Sequence, residues 1–600
     1  MAELFGLTTQ DSPDIDVSHV MAEMLATFHH FMPGDSRTLQ LPRAHVSVLS
    51  YHQHDDVYLE NHSPPKRILA SVGTSFWIGT SNDAGDSVGP LKEAMIRKAA
   101  ESTPGFVASA IEQAANTTWL ISDRFGLQPL YYVYSDKFLI FSTKFLALLK
   151  SKLFSWRVHP PAMVDLLSFE HVTSHHTLAN QVMLLPPATL LTYQQGKLKL
   201  HQYCDPLSPC LAASHREKVS PKKFYHALGE SVARATHSRD QISITLSGGL
   251  DSRALLHHAV KQGKKVSTFS FGQPRCPDLE LAAQLADRVN VAHTKLFIDD
   301  TFLRDRLDYA IFVTGGMVGA THYHILSLAN TLTSSGGVVL DGLGGDAMTG
   351  GHLPWRMLAA RNPSTAINAI YRQRVTAFAN LQHIQSVLHP DFMLENNYDA
   401  WTPIRHAFTQ SPSITPWRAC HNFDFMQRQR RFIQFGPHLM QPFASVRTPF
   451  YDQAVFDSAF ALTPRQLYEQ ALYLKVHAKF MRDLAVVPDS LRGIPLTWPQ
   501  SLRFGKKIVD FARRKYNSRF KPKVANSKPS TTHYRVWFQQ GLRGLLSERL
   551  LETRGLWTDI INLQAVESLL HQHQLGQDDH TNRLGCLLAL ATWCEQVNQL

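Results

Sequence analysis

A chain of 600 residues is too long for one hydrophobic core, and its composition (44% hydrophobic, 18% charged, 10% aromatic, 32 Gly, 32 Pro) excludes wholesale disorder, collagen and coiled coil. No run approaches the roughly 18 consecutive apolar residues of a membrane span, and the opening MAELFGLT lacks the basic and apolar regions of a signal peptide, so a cytoplasmic protein with no transmembrane segment is expected. The net charge of +11 is concentrated in residues 503–528, where ten Lys and Arg stand against Asp510 alone, and no nucleic-acid partner is expected of the protein as a whole.

In chain order, the first two hundred residues read mainly as short strands. Residues 44–50, 68–72, 75–79, 118–122, 130–134 and 138–142 are β-branched or aromatic and bounded by turn residues. Helical patterns fall at 17–31 and 90–100, which makes this an α+β unit. Residues 206–219 carry Pro, Ser and charge with little periodicity, so the boundary is placed there. From Pro221 strands and helices alternate. Strands are expected at 242–246, 266–271, 293–298 and 338–340, and helices at 251–261, 279–289 and 302–313. That alternation predicts a parallel sheet covered by helices on both faces. Beyond about Arg361 the pattern is helical, broken at 442–449 and 488–499, with an exposed loop at 526–532. Cys204, Cys210, Cys276, Cys420, Cys586 and Cys594 form no CxxC pair and no zinc spacing.

The sharpest local signal is Ser247-Gly248-Gly249-Leu250-Asp251-Ser252, between a strand ending at Leu246 and a helix. Two glycines allow a tight turn that exposes backbone N–H groups, and the positive end of the helix points at the same spot. The loop lacks the Lys and the length of a Walker-type P-loop. Asp251 beside an anion calls for a divalent cation between them, and Mg²⁺ bridging carboxylate and phosphate meets that need. A second Gly-rich loop runs from Asp341 through Gly342, Leu343, Gly344, Gly345 and Asp346 to Gly351. Loops at strand C-termini of a doubly wound sheet share one crevice, so Asp251 and Asp346 are expected to face the same metal.

These segments resemble the asparagine synthetase superfamily. Ser247–Ser252 resembles its SGGxDS pyrophosphate loop. Thr268-Phe-Ser-Phe271-Gly272 with Pro277-Asp-Leu-Glu280 resembles its second strand and turn. Gly342–Asp346 with Gly350-Gly351 resembles its second loop, and Arg447–Asp452 its R-x-P-F-L-D. In the first part, Asp123–Tyr132 is similar to the D-R-x-G-x-x-P-L-Y of the glutaminase domain, and Leu185-Pro-Pro187 to the segment that closes it. The resemblance implies a class II glutamine-amidotransferase-like α+β sandwich over 1–210. It implies a PP-loop ATPase, a doubly wound parallel sheet with a helical extension, over 215–600. The cofactors implied are ATP and Mg²⁺. Leu246, Ser247, Gly248, Gly249, Leu250, Asp251, Ser252, Phe271, Gly272 and Gly342 are implied as the nucleotide site, with Asp251 and Asp346 as metal ligands.

The departures are as informative. The family's nucleophilic Cys at position 2 is Ala2, and its N-G-E stretch corresponds at best to Val72-Gly-Thr74, so glutamine hydrolysis is not expected. The family's acids at the positions of Leu343 and Ala347 are missing. Its catalytic Lys falls near Leu496, leaving Lys506 or Lys507 to stand in. An intact adenylating half with an altered acceptor half resembles the β-lactam synthetases and lasso-peptide cyclases, which close an intramolecular amide. The expected activity is therefore an AMP-forming carbon–nitrogen ligase acting on a small-molecule or peptide substrate, with a precursor peptide and its processing protease as partners in the lasso case. The alternatives are an asparagine synthetase using ammonia and a degenerate regulator on the same fold. Thirty-one histidines is a high count, but His29, His30, His175, His176, His322 and His324 have no carboxylate or Cys at matched spacing and are read as structural or surface residues. Arg428, Arg430 and Arg431 either pair with acids of the helical half or reach the nucleotide.

Overall fold

The computed structural model describes residues 2–599 apart from 11–13, 52–56, 63–66, 74–87, 103, 208–218, 238, 336, 393–397, 410–413, 500–501, 504, 507–508 and 511–530. The strand expected at 75–79, Thr74, Lys507 and most of the 206–219, 503–528 and 526–532 segments lie outside the described residues.

The first two hundred residues build two six-stranded antiparallel sheets. One holds β1 (Glu3–Thr9), β2 (Asp35–Leu41), β3 (Ala44–Ser50), β8 (Tyr131–Tyr134), β9 (Phe138–Ser142) and β10 (Met183–Leu184), in the order β10-β8-β9-β1-β3-β2. The other holds β4 (Val57–His62), β5 (Arg67–Gly73), β6 (Phe106–Glu112), β7 (Thr117–Ser122), β11 (Thr189–Gln194) and β12 (Lys197–Gln202), in the order β12-β11-β7-β6-β5-β4. Leu4, Val46, Val48 and Phe141 from the first sheet pack on Ile68, Val107, Leu120 and Leu191 from the second. This is the sandwich, and apolar side chains alternating inward drive it. β1 escapes the sequence pattern because all seven of its residues are buried, so no period-2 signal survives.

The third sheet is wholly parallel: β13 (Gln241–Thr245), β14 (Lys265–Gly272), β15 (Ala292–Phe297), β16 (Val338–Leu340) and β17 (Ser445–Arg447), in the order β15-β14-β13-β16-β17. Chain order runs outward from β13 to β14 and β15, then returns to β16 and β17. The crevice between the C-termini of β13 and β16 is therefore the switch point, where such sheets bind ligands. The helical part after residue 361 contributes one short strand, β17, too brief to show any period.

The halves share one core. On the helix Val17–Phe31, Phe31 stacks on Phe312 and Phe28 meets it edge-on, while Phe145 and Trp156 meet Trp593 of the buried C-terminal helix Thr581–Asn598. The Asp123 turn is a second junction. Its carboxylate accepts N–H bonds from Phe125 (2.9 Å) and Leu127 (3.0 Å), Arg124 donates to Pro206 O and pairs with Asp457 (2.9 Å), and Phe125 packs 4.1 Å from Phe456.

Candidate active site

Both Gly-rich loops leave the sheet at the switch point. Leu246 continues β13, buried, its N–H bonded to Phe269 O (2.7 Å). Ser247–Gly249 then turn into the helix Leu250–Lys261, with Gly249 at the N-cap. Asp341 opens the second loop at the end of β16. Its carboxylate accepts from Leu343 N–H (2.8 Å) and from the Thr245 hydroxyl (3.0 Å), which ties the second loop to β13.

The first loop is latched. Ser252 Oγ accepts from Ser247 N (3.0 Å), Ser247 Oγ accepts from Gly249 N (3.2 Å), and Asp278 Oδ1 accepts from Gly248 N (3.1 Å). Where the sequence suggests freely exposed N–H groups, these three are held by side chains, and a carboxylate occupies the anionic partner's role at Gly248. The outer face is pinned by Arg253, fully buried. Its guanidinium donates to Gly248 O (3.1 Å), Leu484 O (3.1 Å), Val487 O (2.7 Å) and Pro488 O (2.9 Å). Loop and helical extension are thus one unit.

The second loop crosses the first at van der Waals limits. A Cβ on Gly342 would lie 2.9 Å from Asp251 Cβ and 3.0 Å from Ser252 N, and one on Gly345 would press into the Asp251 carboxylate. Only glycine permits this approach, and it brings Asp251 and Asp346 together. Burial, and next the Asp346 charge, push the Asp251 carboxyl well above the ordinary carboxylate range. Tyr473 lies beside it, and Asp251 Oδ1 is buried with no hydrogen-bond partner among the described residues. Asp346 moves the other way. Burial works to raise it, but the His352 hydrogen bond and charge, with Arg492 and Arg428, outweigh that and hold it below its usual value.

Asp346 is positioned by residues far apart in sequence. His352 Nε2 is 2.8 Å from Oδ2, and Gln470 Nε2 donates to Oδ1 (2.8 Å). Arg428 Nη1 lies 2.9 Å from His352 Nδ1, extending the chain of contacts behind Asp346. Arg428 sits on a π-helix, Asp424–Ile433, a distortion common at functional sites. Gln470 and its neighbour Glu469 both have left-handed backbones (φ +59° and +52°), a strain retained beside the carboxylates.

Phe271 and Gly272 close β14 beside the first loop, and Gly272 O accepts from Ile298 N (3.2 Å). Lys506 is not brought into contact with either aspartate; its ammonium pairs with Asp510, four residues on, at 2.5 Å. Arg430 donates to Gly126 O (3.1 Å) and Leu185 O (3.3 Å), and Arg431 to His176 O (2.7 Å), so these two tie the helical part to the first half. Two histidines read as lacking ligands do meet carboxylates: His176 lies 3.3 Å from Asp165, and His322 lies 2.9 Å from Glu170. Sequence spacing could not foresee pairs joined only by folding. Among the described residues no group of three or more His, Cys, Asp or Glu could hold a metal ion. Ala2 is buried and presents only a methyl group.

Comparison with known proteins matches two family models in succession: glutamine amidotransferase domain over residues 91–204 and asparagine synthase over residues 223–493. Asparagine synthetase (glutamine-hydrolyzing) 2 of Bacillus subtilis is 23% identical over 274 residues, covering 42% of this chain and 36% of that protein. The 7-cyano-7-deazaguanine synthase of Hahella chejuensis is 31% identical over 96 residues, 16% of this chain and 41% of that protein. The chain thus matches about two fifths of the length of these relatives. Among solved structures, a glutamine phosphoribosylpyrophosphate amidotransferase from B. subtilis aligns at 8% identity and a TM-score of 0.26, covering 50% of this chain and 91% of that one. That likeness is too slight to argue from.

Proposed function

The chain belongs to the asparagine synthetase superfamily, and from that premise we propose that it is an ATP-dependent, AMP-forming carbon–nitrogen ligase. The observation that carries the reading is the meeting of Asp251 and Asp346 at the switch point, on two loops that begin where adjacent parallel strands end.

The residues fit the Mg·ATP that such a reaction requires. Two neighbouring carboxylates, one with a buried oxygen that has no partner among the described residues, are hard oxygen donors suited to Mg²⁺. A divalent cation there would neutralise phosphate charge and return Asp251 to its ionised form. The chain's own residues do the rest. Ser247–Ser252 and the helix N-terminus behind it hold pyrophosphate oxygens. Arg253 fixes the loop's outer face, and His352 and Gln470 fix Asp346 so that positioning is complete before reaction. For phosphate to reach Gly248 N–H, the Asp278 carboxylate has to yield.

A substrate carboxylate oxygen attacks the α-phosphorus and the bond to pyrophosphate breaks. An amine then attacks the acyl carbon, and AMP leaves. Leu343 and Ala347 carry no charge to match an aspartate acceptor, which favours an amine on a less polar molecule and, in the finer form of the proposal, closure of an amide within one peptide-like substrate. The first half lacks a nucleophile at Ala2 and serves as a structural wall. The test is product analysis of purified protein with Mg·ATP and a panel of amino-acid and peptide carboxylates. AMP and pyrophosphate are expected, and ADP with phosphate would refute the proposal.

A further inference from the structure

Behind the second loop lies a cavity of about 190 Å³, walled by Leu343, Val339, Val446, Phe432 and Ile433. It is mostly hydrocarbon, and its size exceeds the roughly 150 Å³ of an apolar cavity that takes up benzene. Asp341 is on the wall, but both its oxygens are engaged by Leu343 and Thr245. The polar valences left open belong to two imidazoles, His322 and His324.

The two differ in their surroundings. His324 is half-buried, its Nδ1 shielded from solvent and without a partner among the described residues, and desolvation drives it down to about 4, so it stays neutral. His322 has a carboxylate behind it: Nε2 is 2.9 Å from Glu170 Oε2, and no bond engages Nδ1 among the described residues. Glu170 comes from the first half of the chain. It is held by Asn582 Nδ2 (2.9 Å on Oε1) and Thr321 (3.4 Å), and its backbone is left-handed (φ +65°) at the C-cap of the helix Pro160–Phe169, a place glycine normally takes. A glutamate kept at a strained position, with its carboxylate aimed at an imidazole on a cavity wall, is the arrangement of an oriented base.

We propose that this cavity is the acceptor site of the ligase. It takes a primary amine on a compact aliphatic or aromatic group, with His322 receiving the ammonium proton and Glu170 as its positioning residue. The assignment rests on the adenylation reading above. The ammonium proton passes to His322 Nδ1, and the freed lone pair forms the C–N bond at the acyl carbon. The C–O bond to the adenylate phosphate breaks with its electron pair on AMP, and the second nitrogen proton leaves with AMP. Neutral His324 accepts a hydrogen bond from the amine. Around His322 the titratable and charged groups are Glu170, His171, His324, Asp341, Arg428 and Cys586. Glu170 alone among them is placed to stabilise the imidazolium by direct contact.

The test uses the full chain with benzylamine and toluene, one shape with and without the amine, titrated by calorimetry. The wild type is expected to bind both, benzylamine at least tenfold tighter at pH 8. His322→Gln should leave toluene within twofold and erase the preference. Glu170→Gln should weaken benzylamine and move the acid limb of its binding profile to lower pH. No binding of either probe, equal affinity in the wild type, loss of toluene with His322→Gln, or a preference that survives it overturns the proposal. Mg·ATP titrated into the same protein separates the readings. Bound nucleotide without probe binding removes the acceptor site alone, and probe binding without nucleotide removes the ligase.

Discussion

The crossing of the two loops allows a prediction from a single methyl group. In Gly342→Ala the new Cβ would stand 2.9 Å from Asp251 Cβ, 3.0 Å from Ser252 N and 3.2 Å from Asp251 C. Carbon pairs are content at about 3.5–4.0 Å, so the loops must part by about 0.6–1 Å. The obstructing atoms are backbone or Cβ, and no flexible side-chain end can give way. Overpacking of this kind costs about 1–3 kcal/mol of stability, which the shared core can bear. Function is the more sensitive measure, because a misplacement of about 1 Å can cost on the order of 100-fold. Calorimetric titration of Mg·ATP into folded Gly342→Ala should therefore show affinity reduced at least tenfold, and pyrophosphate release reduced further. Gly544→Ala is the control: its Cβ meets nothing within 4 Å, on the helix Arg543–Ser547, and it should match the wild type. Wild-type Mg·ATP affinity in Gly342→Ala would refute the claim that the loops' close approach builds the nucleotide site.

Asp251→Asn should abolish pyrophosphate release without lowering the melting temperature in the absence of Mg·ATP, since it removes a buried carboxyl crowded by a like charge; a lower melting temperature would contradict this. Arg253→Met should destabilise the protein by several kcal/mol, seen in chemical denaturation, because four carbonyls lose a buried donor. Burial raises the Asp123 carboxyl from 3.8 to about 6, so its stabilising protonated form is lost as pH rises from about 4 through 6, at a cost of about 3 kcal/mol by pH 7. Denaturation of Asp123→Asn against the wild type should accordingly shift in the variant's favour across that window, and a pH-independent difference would count against it. Glutamate release from glutamine should not exceed a heat-killed control.

What the sequence makes legible is what is local. A strand, two glycines, an aspartate and a helix follow one another without a break from Gln241 to Lys261, so the Ser247–Ser252 turn declares its geometry. The alternation of strand and helix orders β13 to β16. Partners gathered by folding leave no such mark. Gln470 reaches Asp346 across 124 positions, Arg253 reaches the 484–488 carbonyls across more than 230, and Glu170 reaches His322 across 152. His352 does stand directly after Gly350-Gly351, and its nearness to the loop was the one signal that could have singled it out. Charge counting fails for a related reason. Arg428, Arg430 and Arg431 look alike in sequence, yet one serves the Asp346 network while two bind carbonyls of the first half.

Those two arginines bear on why a half without a nucleophile would retain its motifs. Asp123 spends its oxygens on the turn that follows it, Arg124 reaches Asp457, and the carbonyls of Gly126 and Leu185 receive Arg430. Lys144, buried with Glu3 at 2.7 Å, also reaches Gln441 at 3.4 Å. The Arg124–Asp457, Arg430–Gly126, Arg430–Leu185 and Lys144–Gln441 contacts join the two halves, and each involves a charged group that is costly to leave buried and unpaired. Selection on the nucleotide site would then preserve these residues whether or not glutamine is ever hydrolysed. Glu170 carries the argument further, since through it the first half reaches the wall of the cavity beside the second loop. A domain that has lost its own chemistry can still be bound to its neighbour's, through the partners it supplies.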